Sequence, residues 1–160
     1  MTHRVLDGSM KAYRIGDKDG AYPIFSGEGS RDAPGRWNDL GQAMIYTSEH
    51  YSTAMLEKLV RLGEMPPNQH FVEITIERGV SYEEVNVDLL PNWHRENQAQ
   101  AHAFGSRWFA QGRSAILIVP SVVARVDKNV LINPNHEQFR HVSASQERPI
   151  WWDARLFAAS

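Results

Sequence analysis

Three residues in the stretch "PGRWNDLGQAMIYTSEHYSTAMLEKL", 34–59, carry side chains that could serve one reaction: Arg36, Tyr46 and Glu57. Arg36 follows a Pro-Gly pair, so its turn is open to a ligand, and its planar guanidinium matches phosphate oxygens two at a time. Taken alone, a loop arginine is more often a solvated charge. Tyr46 closes the apolar run "AMIY", where its ring either stacks on a flat heterocycle or fills core space with the hydroxyl at the rim. Glu57 projects off the centre of the apolar face of a helix through Tyr51, Met55, Leu59 and Leu62. By spacing alone it forms an exposed i,i+4 pair with Arg61.

A cation for a diphosphate, an aromatic platform and one carboxylate are together what cleavage of a nucleotide's N-glycosidic bond requires. The ribose gains oxocarbenium character in the transition state, which a fixed carboxylate stabilises electrostatically. A pyridinium leaving group departs as neutral nicotinamide, so no general acid is needed and one glutamate suffices.

Positioning these groups takes a strand, a turn and a helix. "KAYRIG" reads as a short strand, and "DKDGAYPIFSGEGSRDAPGRW" as a long surface loop rich in glycine and proline. "AMIYT" reads as a short buried strand, after which Thr47 or Ser48 caps a helix to about Leu62, stopped by Gly63 and Pro66-Pro67. "FVEITIE" alternates with period two and predicts a half-buried strand over 71–77. "HRENQAQAHAFGSRWFAQG" predicts a second helix ended by Gly112, with Ala101, Phe104 and Trp108 at helical spacing. "SAILIVP" is too apolar for a surface element, which predicts a fully buried strand over 115–119 with Ser121 just past its end. "NVLINPNHEQF" reads as a strand, a turn and a short helix, and "RPIWWDARLF" as a last strand and an irregular tail. The pattern is α/β or α+β: a single domain with a mixed, largely antiparallel sheet and flanking helices.

The chain has 160 residues, enough for one self-sufficient core. Its 17 Lys plus Arg against 19 Asp plus Glu give a net charge of −2, so no global field favours nucleic acid or an anionic membrane. Cysteine is absent, which removes thiolate nucleophiles and Cys-ligated zinc and is compatible with a reducing cytosol. No apolar run approaches the length that spans a bilayer, and residues 1–10 read as a flexible lead-in. A cytoplasmic protein is expected.

The order "YRIG", "GRWN", "YTSE", "AMLEKLV", "LIVPSVV", "NVLINPNH" and "DARLF", from Tyr13 to Phe157, resembles the RES-domain family. The family's eponymous arginine, glutamate and serine match Arg36, Glu57 and Ser121. The resemblance implies a domain over 11–160 with a fold similar to ADP-ribosyltransferases. It also implies a toxin of a bacterial type II toxin–antitoxin pair that attacks NAD at the nicotinamide–ribose bond, with the ADP-ribosyl group passing to water, phosphate or a protein. The implied partner is an Xre-like antitoxin with a DNA-binding domain; homodimerisation or a larger assembly is left open. Carried over by residue, Arg36 binds the NAD phosphates, Tyr46 packs on the nicotinamide end, and Glu57 stabilises the ribosyl cation or orients an acceptor. Ser121 hydrogen-bonds in the site without acting as a nucleophile, since no G-x-S-x-G elbow surrounds it. Arg14 is a second phosphate or ribose contact, and His136 of "NPNH" either touches the ligand or bonds to backbone.

Other constellations are weaker. "GEGS" lacks the third glycine of a dinucleotide fingerprint, which rejects a Rossmann site. His94 and His102 lie two helical turns apart with no third ligand, and Asp17-Lys18-Asp19-Gly20 is an incomplete calcium loop, so no metal is expected. Trp108, Trp151 and Trp152 with Phe104 and Phe157 read as core, some of them edging an interface. A catalytically dead module that binds a nucleotide or a protein is the alternative of a different class.

Overall fold

The computed structural model describes residues 4–157. Nine strands form one sheet: β1 Arg4–Val5, β2 Met10–Asp17, β3 Ile45–Ser48, β4 Gln69–Ile76, β5 Ser81–Glu84, β6 Ile116–Pro120, β7 Lys128–Ile132, β8 Val142–Ala144 and β9 Arg148–Pro149. Their order is β1-β5-β6-β7-β3-β2-β4-β8, with β9 also on β4. Only β5 and β6 run parallel; the other pairs are antiparallel. The helices are α1 Glu28–Asp32, α2 Tyr51–Leu62 and α3 Ala99–Gln111. The mixed, largely antiparallel single domain expected from the sequence is what forms.

Alternation along the strands builds two apolar layers. Val72, Ile74 and Ile76 of β4 share a core with Ile45, Ile116, Ile118, Val130 and Ile132. Residues one step along, Leu117, Val119 and Leu131, join a second core with Trp37, Met44, Trp93 and Trp108. Strand β6 supplies both layers, and every one of its residues is buried, which is why its sequence carries no polar alternation. Helix α3 closes the second layer through Ala101, Gly105, Trp108 and Phe109. A Cβ at Gly105 would lie 1.9 Å from the carbonyl oxygen of Trp37, so the helix reaches that loop only through glycine.

Several expectations are corrected. The lead-in is paired from its fourth residue, because Arg4 and Val5 add to β5 and Leu6 is buried in the first core; residues 1–3 lie outside the described residues. The loop after β2 contains α1. Thr47 and Ser48 stay in β3, and His50, without a side-chain cap bond, precedes α2. Gly63 and Gly112 end their helices in the left-handed conformation, as expected of glycine there. Leu62, read as part of the α2 apolar face, is exposed, whereas Thr53 and Ala54 are buried. Trp108 is core, but Trp151 is 77% exposed.

Candidate active site

Strands β2 and β3 meet at one register pair, Tyr13 with Ser48, whereas β2 pairs with β4 along its whole length. Where β2 and β3 part, the Arg14 guanidinium takes over the hydrogen bonding. Its Nη1 donates to the Tyr46 carbonyl at 2.8 Å and its Nε to the Ile24 carbonyl at 2.6 Å. A cavity of about 330 Å³ lies at this parting, between Arg14, Tyr46 and Ser48 on the strands and Glu57, Lys58 and Arg61 on α2. That volume falls in the usual range for small-ligand sites, roughly 300–1,000 Å³.

Glu57 accepts two hydrogen bonds at Oε1, from Ser121 Oγ at 2.7 Å and from Asn129 Nδ2 at 2.9 Å. No Glu57–Arg61 ion pair exists, so the exposed i,i+4 pair expected from spacing is replaced by contacts across the sheet. Arg14, Lys58 and Arg61 line the same cavity, and none has a carboxylate within ion-pair distance among the described residues. Burial, helped by the charge of Arg61, pushes the Arg14 guanidinium down to about 10. Burial and the charges of Arg14 and Arg61 likewise lower the Lys58 ammonium. Three cations that repel one another leave this part of the cavity with an uncompensated positive charge.

Tyr46 is fixed by the turn that precedes it. Its Oη accepts from the Trp37 amide at 2.9 Å and donates to Asn38 Oδ1 at 2.7 Å. Burial raises the phenol well above its ordinary value, so it stays neutral. Buried Asn38 also accepts from the Gly35 amide and donates to the carbonyls of Ser30, Asp39 and Gln42, which makes it the hub of the loop. A Cβ at Gly35 would sit 2.8 Å from the Tyr46 ring, so only glycine lets the turn close on it.

Of the residues singled out from the sequence, the structure brings Arg14, Tyr46 and Glu57 to the cavity and puts Ser121 directly behind Glu57. Arg36 is outside the wall. Its Nη1 donates to the carbonyls of Trp93 and Arg95, at 2.9 and 2.8 Å, although the charge of Glu57 still reaches it. His136 is also outside: its Nδ1 accepts from the Gln138 amide and caps the turn over Glu137–His141. Of the two roles expected for His136, the backbone bond is the one present. Lys58, Asn38 and Asn129 were not singled out from the sequence, and Arg61 only as an exposed partner of Glu57. Lys58 and Arg61 were legible as neighbours of Glu57 at helical spacing; Asn129 had no local signal.

The RES domain model matches residues 11–153. The chain belongs to the RES domain family. It is 36% identical over 138 residues to the "Prs ADP-ribosylating toxin" of Sphingobium sp. (strain YBL2), covering 82% of this chain and 86% of that protein. It is 33% identical over 156 residues to "Toxin Res" of Yersinia enterocolitica, covering 92% and 99% respectively. The fold is shared with a chain of the M. tuberculosis MbcT–MbcA toxin–antitoxin complex, at a TM-score of 0.71 and 15% identity over 90% of this chain and 85% of that one. Among the described residues no helix is long and apolar enough to cross a membrane, and no three His, Cys, Asp or Glu side chains group as a metal site.

Proposed function

We propose that this RES domain is the toxin of a toxin–antitoxin pair and that it breaks the nicotinamide–ribose bond of NAD, passing the ADP-ribosyl group to water or phosphate. The observation that carries this is one cavity lined both by a fixed carboxylate, Glu57, and by Arg14, Lys58 and Arg61, cations with no carboxylate within ion-pair distance among the described residues. The cations suit the diphosphate of NAD. The carboxylate suits the positive charge that grows on the ribose as the C1′–N bond breaks and its electrons pass to the pyridinium nitrogen. Neutral nicotinamide leaves, and the acceptor oxygen adds at C1′ and gives up its proton. Tyr46, which lines the cavity and stays neutral, packs on the nicotinamide end and supplies no base.

Transfer to a protein is a second reading, favoured by the Sphingobium relative, whose name describes ADP-ribosylation. The cleavage step is common to both. The neutralising partner we propose is an Xre-like antitoxin with a DNA-binding domain, and the site of action the cytoplasm.

The test is to incubate the purified protein with NAD and follow free nicotinamide, with Glu57→Gln alongside. Mass spectrometry of the products, with and without phosphate and cell lysate, separates ADP-ribose, its 1-phosphate and a modified protein. Release by wild type that Glu57→Gln abolishes supports the proposal. No release by wild type, or equal release by both, leaves a binding module.

A further inference from the structure

Both donors to Glu57 arrive at the same oxygen, and each is itself oriented from behind. Asn129 lies opposite Ser48 in the β3–β7 ladder, and the Ser48 hydroxyl donates to Asn129 Oδ1 at 2.8 Å. With its carbonyl side engaged, the amide can present only its Nδ2 to Glu57, at 2.9 Å. On the other side, the Ala124 amide donates to Ser121 Oγ at 3.1 Å, leaving the hydroxyl hydrogen for Glu57 at 2.7 Å. Ser48 and Ser121 are buried, so water does not compete for these directions. The turn that carries Ser121 toward Asn129 is tied to α2 itself, since Thr53 Oγ1 donates to Asp127 Oδ2 at 2.7 Å. Glu57 Oε2 has no partner among the described residues.

We propose that Asn129, oriented by Ser48, is a positioning residue for Glu57: with Ser121 it saturates Oε1 and fixes the carboxylate so that Oε2 alone faces the substrate. This rests on Glu57 acting on a bound ribosyl group. A carboxylate held through one oxygen cannot swing toward the cations of the same cavity, which would otherwise neutralise it when no ligand is bound. It therefore meets the developing positive charge already in place, with no reorganisation at the moment of reaction. Asn129 touches no reacting atom. Its effect passes through Glu57.

The test compares wild type with Asn129→Ala, Asn129→Asp, Ser121→Ala and Ser121→Thr in nicotinamide release from NAD, alongside crystal structures of wild type and Asn129→Ala. Loss of an oriented donor to a charged group lowers kcat about tenfold or more in Asn129→Ala, with KM for NAD close to wild type at a temperature where circular dichroism shows the variant folded. Asn129→Asp, which sets a second carboxylate against Oε1, falls further. Ser121→Thr, which keeps the hydroxyl, recovers most of what Ser121→Ala loses. In the crystal, the Glu57 carboxylate turns from its wild-type position once Asn129 is truncated. A Glu57 that stays in place in Asn129→Ala overturns the proposal whether or not NAD is cleaved, and so does a change in KM without a change in kcat. Wild type that releases no nicotinamide defeats the functional assignment instead, and the crystallographic comparison still decides the role of Asn129.

Discussion

Lys58→Met separates the binding role of the cation wall from its effect on folding, because the two effects have opposite signs. Lys58 has neither an ion pair nor a hydrogen bond among the described residues, and it lies near Arg14 and Arg61 in a half-buried position. Methionine keeps the length of the stem and nearly the same helix propensity. The substitution removes like-charge repulsion worth a few tenths of a kcal/mol per neighbour, about 0.5 kcal/mol in total. For a domain of this length that raises the melting temperature by roughly 1–2 °C. Affinity moves the other way: losing a charge-assisted hydrogen bond to phosphate costs roughly 1.5–3 kcal/mol, about ten- to a hundredfold in Kd for ADP-ribose. The stability gain also depends on pH. Burial, Arg14 and Arg61 hold the Lys58 pKa below its ordinary 10.5, so the unfolded chain binds that proton more tightly than the folded one. The penalty on wild type is fully present below the folded pKa and vanishes as pH rises past 10.5, so the advantage of Lys58→Met is full at neutral pH and lost at the alkaline end. Chemical denaturation at pH 7 and above pH 10, with calorimetric titration of ADP-ribose, reads all three quantities. A variant that is less stable at pH 7, or that binds ADP-ribose as wild type does, refutes the anion assignment.

Gly35→Ala puts a methyl 2.8 Å from the Tyr46 ring and displaces it from the cavity wall; we expect an overpacking cost of about 1–3 kcal/mol in urea denaturation and reduced nicotinamide release. Gly105→Ala meets backbone 1.9 Å away, at the Trp37 carbonyl, so its urea midpoint falls further than that of Gly35→Ala. Arg36→Ala removes the donor to the Trp93 and Arg95 carbonyls and lowers stability by roughly 1.5–3 kcal/mol, while ADP-ribose affinity, measured by titration, falls less than in Arg14→Met. Thr53→Val unties α2 from the turn bearing Asp127 at a similar cost, and hydrogen exchange of the 121–127 amides speeds up.

Elements with a strong local pattern were legible without the structure. The alternation of "FVEITIE" and the unbroken apolar run "AILIV" place β4 and β6 within a residue or two of where they form. Strands β1, β5 and β8 were not foreseen: they are two to four residues long and have little periodicity of their own. They exist because a neighbouring edge offers unpaired backbone groups, a property of the assembled sheet. Helix α2 shows the same limit from the other side. Its apolar residues suggested a buried face through Leu62, but half-buried Glu57 and Lys58 and exposed Arg61 line the space beneath it, because at that point the helix covers a cavity rather than a core.

The site divides along the same line. Spacing alone gave Glu57 an exposed pair and left Tyr46 between a heterocycle and the core; only the combination with a cation and the resemblance to the RES-domain family pointed to both as site residues. Arg36 drew attention for the same local reasons, yet an arginine in an open turn binds whatever oxygen the fold brings near, and here two backbone carbonyls from residues 93 and 95 arrive first. Arg14 is the converse. In a regular sheet its side chain would sit beside Thr47 and its charge would have no function, but β2 and β3 separate after one pair, and the guanidinium bridges the gap they leave. A buried cation there, with no carboxylate to meet it, is costly to the empty fold. The carbonyls of Ile24 and Tyr46 offset part of that cost, and on the function proposed above an anion in the cavity offsets the rest, so the feature that weakens the apo protein is the one that would give the ligand its binding energy.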